Sequence, residues 1–599
     1  MIYKYIVGPS QVPPPPKPEA IKVIELPLPP VAPNNDLDSC SIEINPKRTG
    51  CIAQKSNLQS GSFLPDGKHV TASILFIGAP AAPDPASMYD GEQVILIKVD
   101  GTHFPNGDTW KCITCGVPAQ NKVGHSPSFD YVQSFSDSKR LLAGANIIEC
   151  DDALAGNCTP EATRIVPIFW SDSLDNEVGG KMREVRLHPD QEHLGWSSFV
   201  FNPPDFGQFG YIGKLGYNPS TARYEMTKVF LLVDAKDKSS IYVDGKELKT
   251  NPNAIMIGEV RGFSGSGEEI TYIGAPVESG NADVFAINLV SGKVRRLTSH
   301  PEYVDPVDIS PDDAWTVVMD TRGSNRQMFL SAMRGIPPLI DLVTFAAVCS
   351  VRNNGQRRFF QPYIIDRYGD RGNYFGQKLN SEGSGVAGSG DINDPEWNGA
   401  ADPKWSPDGN RIVYTQKLTI APACGGRNPL PCYPSTAEGG RVERLMLATL
   451  TSRKPYSPPP VTPFKDSVPW GVVHQPGARL PVRHSLPHGD FILHGKSSGA
   501  ALVTLEDGRV EVSYDKFSDD GLNFINGKEK VLNEVKEVGG NLITWYSDIN
   551  LTGEATGSKV TGSEGFQMSV NVFDNIFVAN GTLITTIDGV SYHQPADRT

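Results

Sequence analysis

The sequence predicts an all-β protein, a seven-bladed β-propeller followed by a C-terminal β-sandwich. Three observations support this: one short phrase recurs seven times, turn-forming residues are abundant, and strands with glycine-containing turns follow the last repeat. The chain has 59 glycines and 49 prolines in 599 residues, a turn content typical of all-β proteins. At this length it can hold a closed propeller and one further domain.

The repeated phrase consists of two apolar runs around a tight turn, as in Trp405-Ser-Pro-Asp-Gly-Asn-Arg-Ile412. Proline fixes φ and glycine accepts a positive φ in such a turn, so each copy is predicted to be a β-hairpin. The copies begin at Phe63, Phe135, Leu187, Phe263, Ile309, Trp405 and His484. The shortest step between turns, 46 residues from Gly265 to Pro311, is near the length of one four-stranded blade. Seven copies therefore predict seven blades, with loops inserted where the step is longer.

The chain divides into three predicted parts. Residues 1–38 form an extended proline-rich arm. Residues 39–500 form the propeller, which carries the candidate catalytic residues. Residues 501–599 contain strands separated by Asp-Gly, Asn-Gly and Gly-Gly turns, which predict the β-sandwich.

Composition excludes several classes of partner. A net charge of -13 and a pI near 5.4 argue against nucleic acid and anionic membranes. No apolar run approaches the roughly 20 residues that a membrane span needs. We expect no metal and no cofactor, and the sequence does not indicate an oligomeric state.

Eight of the nine cysteines fall in close pairs, and Cys349 is left over as an expected buried thiol. The pairs are Cys40 with Cys51, Cys112 with Cys115, Cys150 with Cys158, and Cys424 with Cys432. Only one pair has metal-type spacing and no second such pair completes a tetrad, so disulfides are favoured over zinc. Disulfides predict a secreted, extracellular protein. Glycosylation sequons at Asn157, Asn550 and Asn580 are compatible with that location.

Acidic residues recur at the start of the predicted innermost strands, five or six residues before the turn. They are Asp130, Glu184, Glu259, Asp305 and Asp402. In a propeller these positions ring one mouth of the central channel. Acids at strand ends commonly bind neighbouring backbone amides, but two of them could flank a glycosidic bond as general acid and as base or nucleophile. We expect Glu259 and Asp305 to be that pair, with Glu184 and Glu396 as further candidates.

Other side chains predicted at this mouth could bind a ligand. Arg186 and Arg261 lie in two matching Glu-Val-Arg triplets, and Arg322 lies in a later loop. A guanidinium suits a substrate carboxylate because it offers two parallel donors, although an internal salt bridge is the alternative. Trp397 could stack on a sugar or belong to the core. His125 precedes the second blade and could act as a base or a hydrogen-bond donor.

Two resemblances extend this interpretation. The Trp405 repeat resembles that of TolB-like propellers, which indicates fold and says little about function. Three longer segments, 39–51, 320–329 and 394–403, resemble those of secreted fungal saponin hydrolases. That family releases the glucuronate-linked sugar chain from triterpenoid saponins. The resemblance implies a β-glucuronidase whose substrate is a small glucuronide-bearing glycoside, in agreement with the predicted arginines.

Two alternatives stay open at this point. A propeller polysaccharide lyase would cleave a uronate chain by β-elimination, and His125 is the residue that suits it. A non-catalytic propeller would hold a glycan at the mouth without turnover.

Overall fold

In a computed structural model, the chain forms a propeller and a separate large sheet. The structure describes residues 12–36, 39–80, 88–174, 179–202, 205–234, 239–344, 351, 353–354, 357–386, 388–400, 402–419, 435–478, 480, 485–537, 539–571 and 576–598.

Strand β1 (Ile21–Leu26) comes first, and the first three blades follow it along the chain. Blade 1 contains β2 (Gln59–Phe63), β3 (His69–Ile77), β4 (Asp90–Lys98) and β5 (Trp110–Cys112). Blade 2 contains β6 (Gln133–Ser134), β7 (Arg140–Ala143), β8 (Asn146–Cys150) and β9 (Thr163–Phe169). Blade 3 contains β10 (Arg183–Leu187), β11 (His193–Asn202), β12 (Asp205–Asn218) and β13 (Arg223–Leu231).

The hairpin of β14 (Ile241–Asp244) and β15 (Glu247–Thr250) then leaves the propeller, and three more blades follow. Blade 4 contains β16 (Glu259–Phe263), β17 (Glu269–Ile273), β18 (Val284–Asn288) and β19 (Val294–Arg296). Blade 5 contains β20 (Val304–Ile309), β21 (Trp315–Asp320), β24 (Gln361–Asp366) and β25 (Gln377–Lys378). An insertion between β21 and β24 contains helix α1 (Met328–Ser331) and the short strands β22 (Asn353–Asn354) and β23 (Arg357–Arg358). Blade 6 contains β26 (Trp397–Gly399), β27 (Lys404–Trp405), β28 (Arg411–Leu418) and β29 (Glu443–Leu450).

The innermost strands close into a ring. Contacts join β10 to β16, β16 to β20, β20 to β27, β27 to β2 and β2 to β6. The side chain of Gln133 in β6 completes the ring, because it bonds the backbone of Val185 and Leu187 in β10. Strand β1 pairs with β29 as the outermost strand of blade 6, so the N-terminal segment locks the ring.

The prediction of seven blades is wrong for the described part of the chain, where six blades form the ring. The first six repeats supply their hairpins. Of the last repeat, His484 lies outside the described residues, and Phe491 belongs to β31 (Gly489–His494), which is part of another sheet. A turn flanked by apolar residues specifies a hairpin but not the sheet that the hairpin joins, which explains the error.

That other sheet has ten strands, eight of which, β31 to β38, form one antiparallel meander, and it differs from the two packed sheets of the predicted β-sandwich. Strand β30 (Val472–Val473) pairs with β13 of blade 3. The strands after β31 are β32 (Ser498–Glu506), β33 (Arg509–Ser518), β34 (Asn523–Glu537), β35 (Gly540–Gly553), β36 (Gly557–Asn571), β37 (Val578–Ile587) and β38 (Val590–His593). The β14–β15 hairpin extends this sheet through a parallel pairing of β15 with β31.

The ten-stranded sheet shares its core with blade 5. Buried residues of the sheet, such as Val512, Trp545 and Met568, pack in one cluster with Phe329 and Ile340 of the blade 5 insertion. The hydroxyl of Thr585 in β37 also donates to the carbonyl of Phe329, at 2.7 Å. The insertion therefore packs on the buried face of the ten-stranded sheet and joins this sheet to blade 5.

Three cysteine pairs are bonded as predicted: Cys40–Cys51, Cys112–Cys115 and Cys150–Cys158. Cys349, Cys424 and Cys432 lie outside the described residues. The three bonds are consistent with an extracellular protein. Among the helices of the described ranges, we find none with the length and apolar character needed to cross a membrane.

Candidate functional site

Irregular backbone marks the mouth end of the innermost strands. Strand pairing shifts between Ser60 and Phe63 in β2, between Arg183 and Arg186 in β10, between Val260 and Gly262 in β16, and between Asp305 and Val307 in β20. Such bulges turn side chains away from the regular alternation of a strand. Three of these shifts lie at or beside Glu184, Arg261 and Asp305, charged residues of blades 3, 4 and 5.

Glu184 is the centre of a buried ionic network. One of its oxygens, Oε2, accepts hydrogen bonds from Arg186 and from Arg261, both at 2.8 Å. The Arg186 and Arg261 side chains are only 1% and 4% exposed. The two matching triplets of the sequence thus meet on one carboxylate, which neither triplet alone indicated.

Acids from three further blades complete the network. Arg186 pairs with Asp402 at 2.7 Å. Arg261 pairs with Asp305 and, at 3.4 Å, with Glu259. Four of the five predicted ring acids therefore do meet. Asp305 and Asp402 are 2% and 4% exposed, so they hold arginines in place instead of facing an open channel.

Two residues of this site were missed by the sequence analysis. The Tyr131 hydroxyl donates to Glu184 Oε1 at 2.9 Å, and the Arg186 guanidinium lies 4.1 Å from the Tyr131 ring centre. Arg183 reaches Glu259 at 3.0 Å and Glu184 at 3.3 Å, and its side chain is 35% exposed. Counting back to acids could not select a tyrosine, and Arg183 lies just outside the Glu-Val-Arg triplet.

The backbone is strained where these side chains meet. Tyr131 has a φ of 53° and Glu184 a φ of 54°, both in the left-handed region that disfavours residues with a β-carbon. Such conformations cost on the order of 1–3 kcal/mol each and cluster at functional sites. The two strained residues are hydrogen-bonded to each other within the network.

The electrostatics keep Glu184 ionised. Burial alone would favour its protonated form, but Arg261, Arg186 and Arg183 together lower the pKa of the Glu184 carboxyl to about 2. Conversely, burial and the charges of Glu184 and Asp402 raise the pKa of Tyr131 well above its usual value. At neutral pH the site holds a charged carboxylate beside a neutral phenol.

Two guanidiniums retain donors that no described residue accepts. They are Arg186 Nε and Nη1, and Arg261 Nε. A buried N–H without an acceptor costs about 1–3 kcal/mol, so a bound oxygen at this position would be stabilised. Both guanidiniums are almost fully buried, so these donors lie in the interior of the network and not on an open surface.

A cleft of about 110 Å³ opens beside this network. Its wall includes Ser128, Asp130, Tyr131, Gly144, Arg183 and Glu184. We call it the acidic cleft. The fifth ring acid, Asp130, therefore faces the same space as Glu184, across Tyr131.

Asp130 has a second carboxyl nearby, which the sequence analysis did not select. Glu92 Oε1 accepts the backbone N–H of Phe129 at 2.6 Å. Burial, and in addition the charge of Asp130, raise the pKa of Glu92. Glu184 is thus firmly ionised, whereas Glu92, beside Asp130, retains a proton more readily.

The remaining predicted residues lie away from this network. The His125 ring bonds the carbonyl of Lys122 at 2.6 Å. Glu396 lies in the loop before β26, where burial and Asp394 raise its pKa. Trp397 is 1% exposed and lies under Arg444, so the prediction of a sugar-stacking surface is wrong and the core alternative applies.

Arg322 also differs from its predicted role. It is enclosed between Asp320 and Asp370 and donates to the carbonyl of Phe375. With a side chain 2% exposed, Arg322 connects loops of blade 5 and leaves no face for a substrate. The prediction that Arg322 holds a uronate is therefore wrong.

The neighbourhood of Arg322 gives a test of stability against pH. Burial and Asp320 raise the pKa of Glu302 to about 8, from 4.5. Folding therefore retains a proton that the unfolded chain releases, and stability should fall as pH rises from 4.5 to 8. We expect Glu302→Gln to equal the wild type near pH 4.5 and to exceed it at pH 8.5, by a few kcal/mol at most.

Glu278 provides the matched control. Arg334 and Arg296 outweigh burial and lower its pKa to about 2. Glu278→Gln should then lose stability above pH 4.5, the opposite sign. Thermal unfolding of both variants at the two pH values measures this, and parallel shifts would contradict the assignment.

Among the residues that the structure describes, no three His, Cys, Asp or Glu side chains converge in a way that could hold a metal ion.

Comparisons with known proteins give no family. No family model and no curated protein matches the chain. Among solved structures, it is similar to a putative TolB from Agrobacterium tumefaciens, with 13% identity over 57% of this chain and 93% of that one, at a TM-score of 0.29. It is also similar to an oligogalacturonate lyase in complex with manganese (11% identity, 66% and 90% covered, TM-score 0.31) and to a luciferin-regenerating enzyme (11%, 68% and 96%, 0.31). None of the three is named a saponin hydrolase, so that resemblance stays a prediction, and the propeller assignment rests on the strand pairing above.

Proposed function

We infer that this protein is a glycoside hydrolase that cleaves a β-glucuronoside at the acidic cleft. The observation that carries the proposal is the cleft itself, in which Glu184 and Asp130 face one space beside the arginines of the buried network. A pair of carboxyl groups across a small cleft is what hydrolysis of a glycosidic bond needs. The sequence resemblance indicates a triterpenoid saponin as the natural substrate.

Arg183 is the residue assigned to the substrate's carboxylate. It lines the acidic cleft, where it contacts Glu184, Glu259 and Gln208, and its side chain is 35% exposed. The side chains of Arg186 and Arg261 are almost fully buried. Its planar guanidinium can present two donors to a uronate. Arg186 and Arg261 then act on Glu184, which they hold ionised.

The two carboxyl groups take different roles because their surroundings differ. Glu184 stays ionised and can attack the anomeric carbon or stabilise the positive charge that develops on the sugar. Asp130 lines the other side of the cleft and is assigned the donation of a proton to the leaving oxygen, with Glu92 beside it as the group that retains a proton more readily. Of the two carboxylates predicted as the catalytic pair, Asp305 is thereby moved to a supporting role and Glu259 to the orientation of Arg183.

The test is incubation with an aryl β-D-glucuronide, a glucuronide-bearing saponin and a uronate polysaccharide. We expect aglycone release with the mass change of hydrolysis and without the ultraviolet absorbance of an unsaturated uronate. Absorbance from the polysaccharide would show that the protein is a lyase and not a hydrolase. Saturable binding of the glucuronides without any product would show that it is a binding protein.

A further inference from the structure

A second and larger cleft lies on the blade 1 side of the mouth. Its volume is about 370 Å³, within the roughly 300–1,000 Å³ typical of small-molecule sites. Its wall includes Met88, Asp90, Gln93, Thr114, Val117 and Lys122. We call it the blade 1 cleft.

Only one loop separates the two clefts. Lys122 lines the blade 1 cleft, and its carbonyl accepts a hydrogen bond from the His125 ring at 2.6 Å. Ser126, which follows His125, lines the acidic cleft. A second link runs through Glu92, which lies between Asp90 and Gln93 and binds the N–H of Phe129 at 2.6 Å. A ligand of two linked units could therefore occupy both clefts across this loop.

The blade 1 cleft presents a fixed amide. Thr114 donates its hydroxyl to Gln93 Oε1 at 2.6 Å, and Gln93 Nε2 donates to the carbonyl of Asp90 at 2.6 Å. One N–H and one lone pair of the amide remain available after these bonds. A side chain held in this way loses little further freedom when it binds a ligand.

Two charged groups of opposite sign complete the polar wall. Within the described part of the chain, the Asp90 carboxylate and the Lys122 ammonium bind no other residue, and they provide an acceptor and a donor. Their charges cancel, so the cleft favours an uncharged ligand rich in hydroxyl groups. Met88 and Val117 can cover the C–H face of such a ligand.

We propose that the blade 1 cleft binds a neutral sugar unit attached to the glucuronate that occupies the acidic cleft. This inference rests on the proposed function, because it assigns the sugar chain of the same substrate. The glucuronoside would then be recognised in two parts, a charged sugar at Arg183 and a neutral sugar at Gln93 and Lys122.

The test is calorimetric titration of the full-length protein with glucosyl-glucuronic acid, glucuronic acid and methyl β-D-glucopyranoside. The variants are Gln93→Ala and Lys122→Met, and Lys293→Met is the control because it removes the same charge from an exposed turn of blade 4. We expect the wild type and the control to bind the disaccharide about 10-fold more tightly than glucuronic acid, as one or two hydrogen bonds would give. In Gln93→Ala and Lys122→Met this preference should disappear, with unchanged affinity for glucuronic acid.

The outcomes separate this inference from the proposed function. A wild type that hydrolyses aryl glucuronides but binds glucosyl-glucuronic acid and glucuronic acid with equal affinity would overturn the sugar site alone. Variants that still prefer the disaccharide would overturn it too. If no glucuronoside is hydrolysed, but the wild type binds methyl β-D-glucopyranoside and both variants lose it, the sugar site stands and the proposed reaction fails.

Discussion

Replacing Lys559 with methionine should destabilise the protein by about 3–5 kcal/mol, because it leaves Glu529 charged and unpaired inside the ten-stranded sheet. The two side chains are fully buried and 2.8 Å apart. Lys559 also lies 4.3 Å from the Trp545 ring centre. Methionine keeps the length of the side chain, so the loss of charge compensation dominates. Thermal and urea unfolding measure the loss.

Glu529→Gln within the same variant is the control. Trp545 Nε1 donates to Glu529 Oε1 at 2.8 Å, and glutamine can still accept that bond while it removes the buried charge. The double variant Lys559→Met/Glu529→Gln should therefore recover most of the lost stability, whereas Glu529→Gln alone should destabilise by leaving Lys559 unpaired. If the two single losses simply added in the double variant, the pair would not be the cause.

The effect should extend to the propeller. Burial, and then the charges of Glu529 and Asp341, raise the pKa of Tyr514 well above its usual value, which places Asp341 of the blade 5 insertion near the pair. Asp341 in turn accepts the N–H of Gly280 in blade 4 at 3.2 Å. The Lys559–Glu529 pair is thus connected to blades 4 and 5 through Asp341. Loss of the Lys559 charge should therefore lower activity as well as stability.

The propeller was predictable because its signal is local. Each Pro-Asp-Gly turn and its apolar flanks specify one hairpin, so six blades followed from short stretches of sequence. The blade number required knowledge of long-range pairing, since Phe491 pairs within the ten-stranded sheet and Ile21–Leu26 closes blade 6. Neither pairing leaves a local mark on the sequence.

The site was predictable to the extent that it repeats. Glu184, Glu259, Asp305 and Asp402 occupy equivalent strand starts, and the structure joins all four through Arg186 and Arg261. Exposure was not predictable, because a periodic position says nothing of what covers it.

The same limit explains why Trp397 and Arg322 were predicted as ligand contacts although the structure buries both. Tyr131 and Arg183 were missed because they have no counterpart in the other blades. Their signal is the strained backbone at Tyr131 and at Glu184, which only coordinates show.

The largest effect on activity is expected from Glu184→Gln, which should lower kcat/KM for an aryl β-D-glucuronide by about 10³-fold or more, near the upper range for loss of one acid–base group. The amide oxygen can accept the bonds of Arg186 and Arg261, and the amide nitrogen can donate to Tyr131, so the fold should persist. Circular dichroism and thermal unfolding check this. Glu396→Gln, outside the acidic cleft, is the matched control and should retain near wild-type turnover.

The pH dependence of kcat/KM gives the same assignment an independent readout. Since the pKa of Glu184 is about 2, this carboxylate is ionised throughout the working range and should not produce an acidic limb at higher pH. The alkaline limb should come from loss of the proton held by Glu92, whose pKa is raised by burial and by the charge of Asp130. Because the charge of Asp130 raises the pKa of Glu92, Glu92→Gln should shift that limb, while Glu184→Gln should lower the whole profile without moving it. A profile that Glu92→Gln leaves in place would exclude Glu92 as the source of that proton, and full activity of Glu184→Gln would remove Glu184 from the reaction.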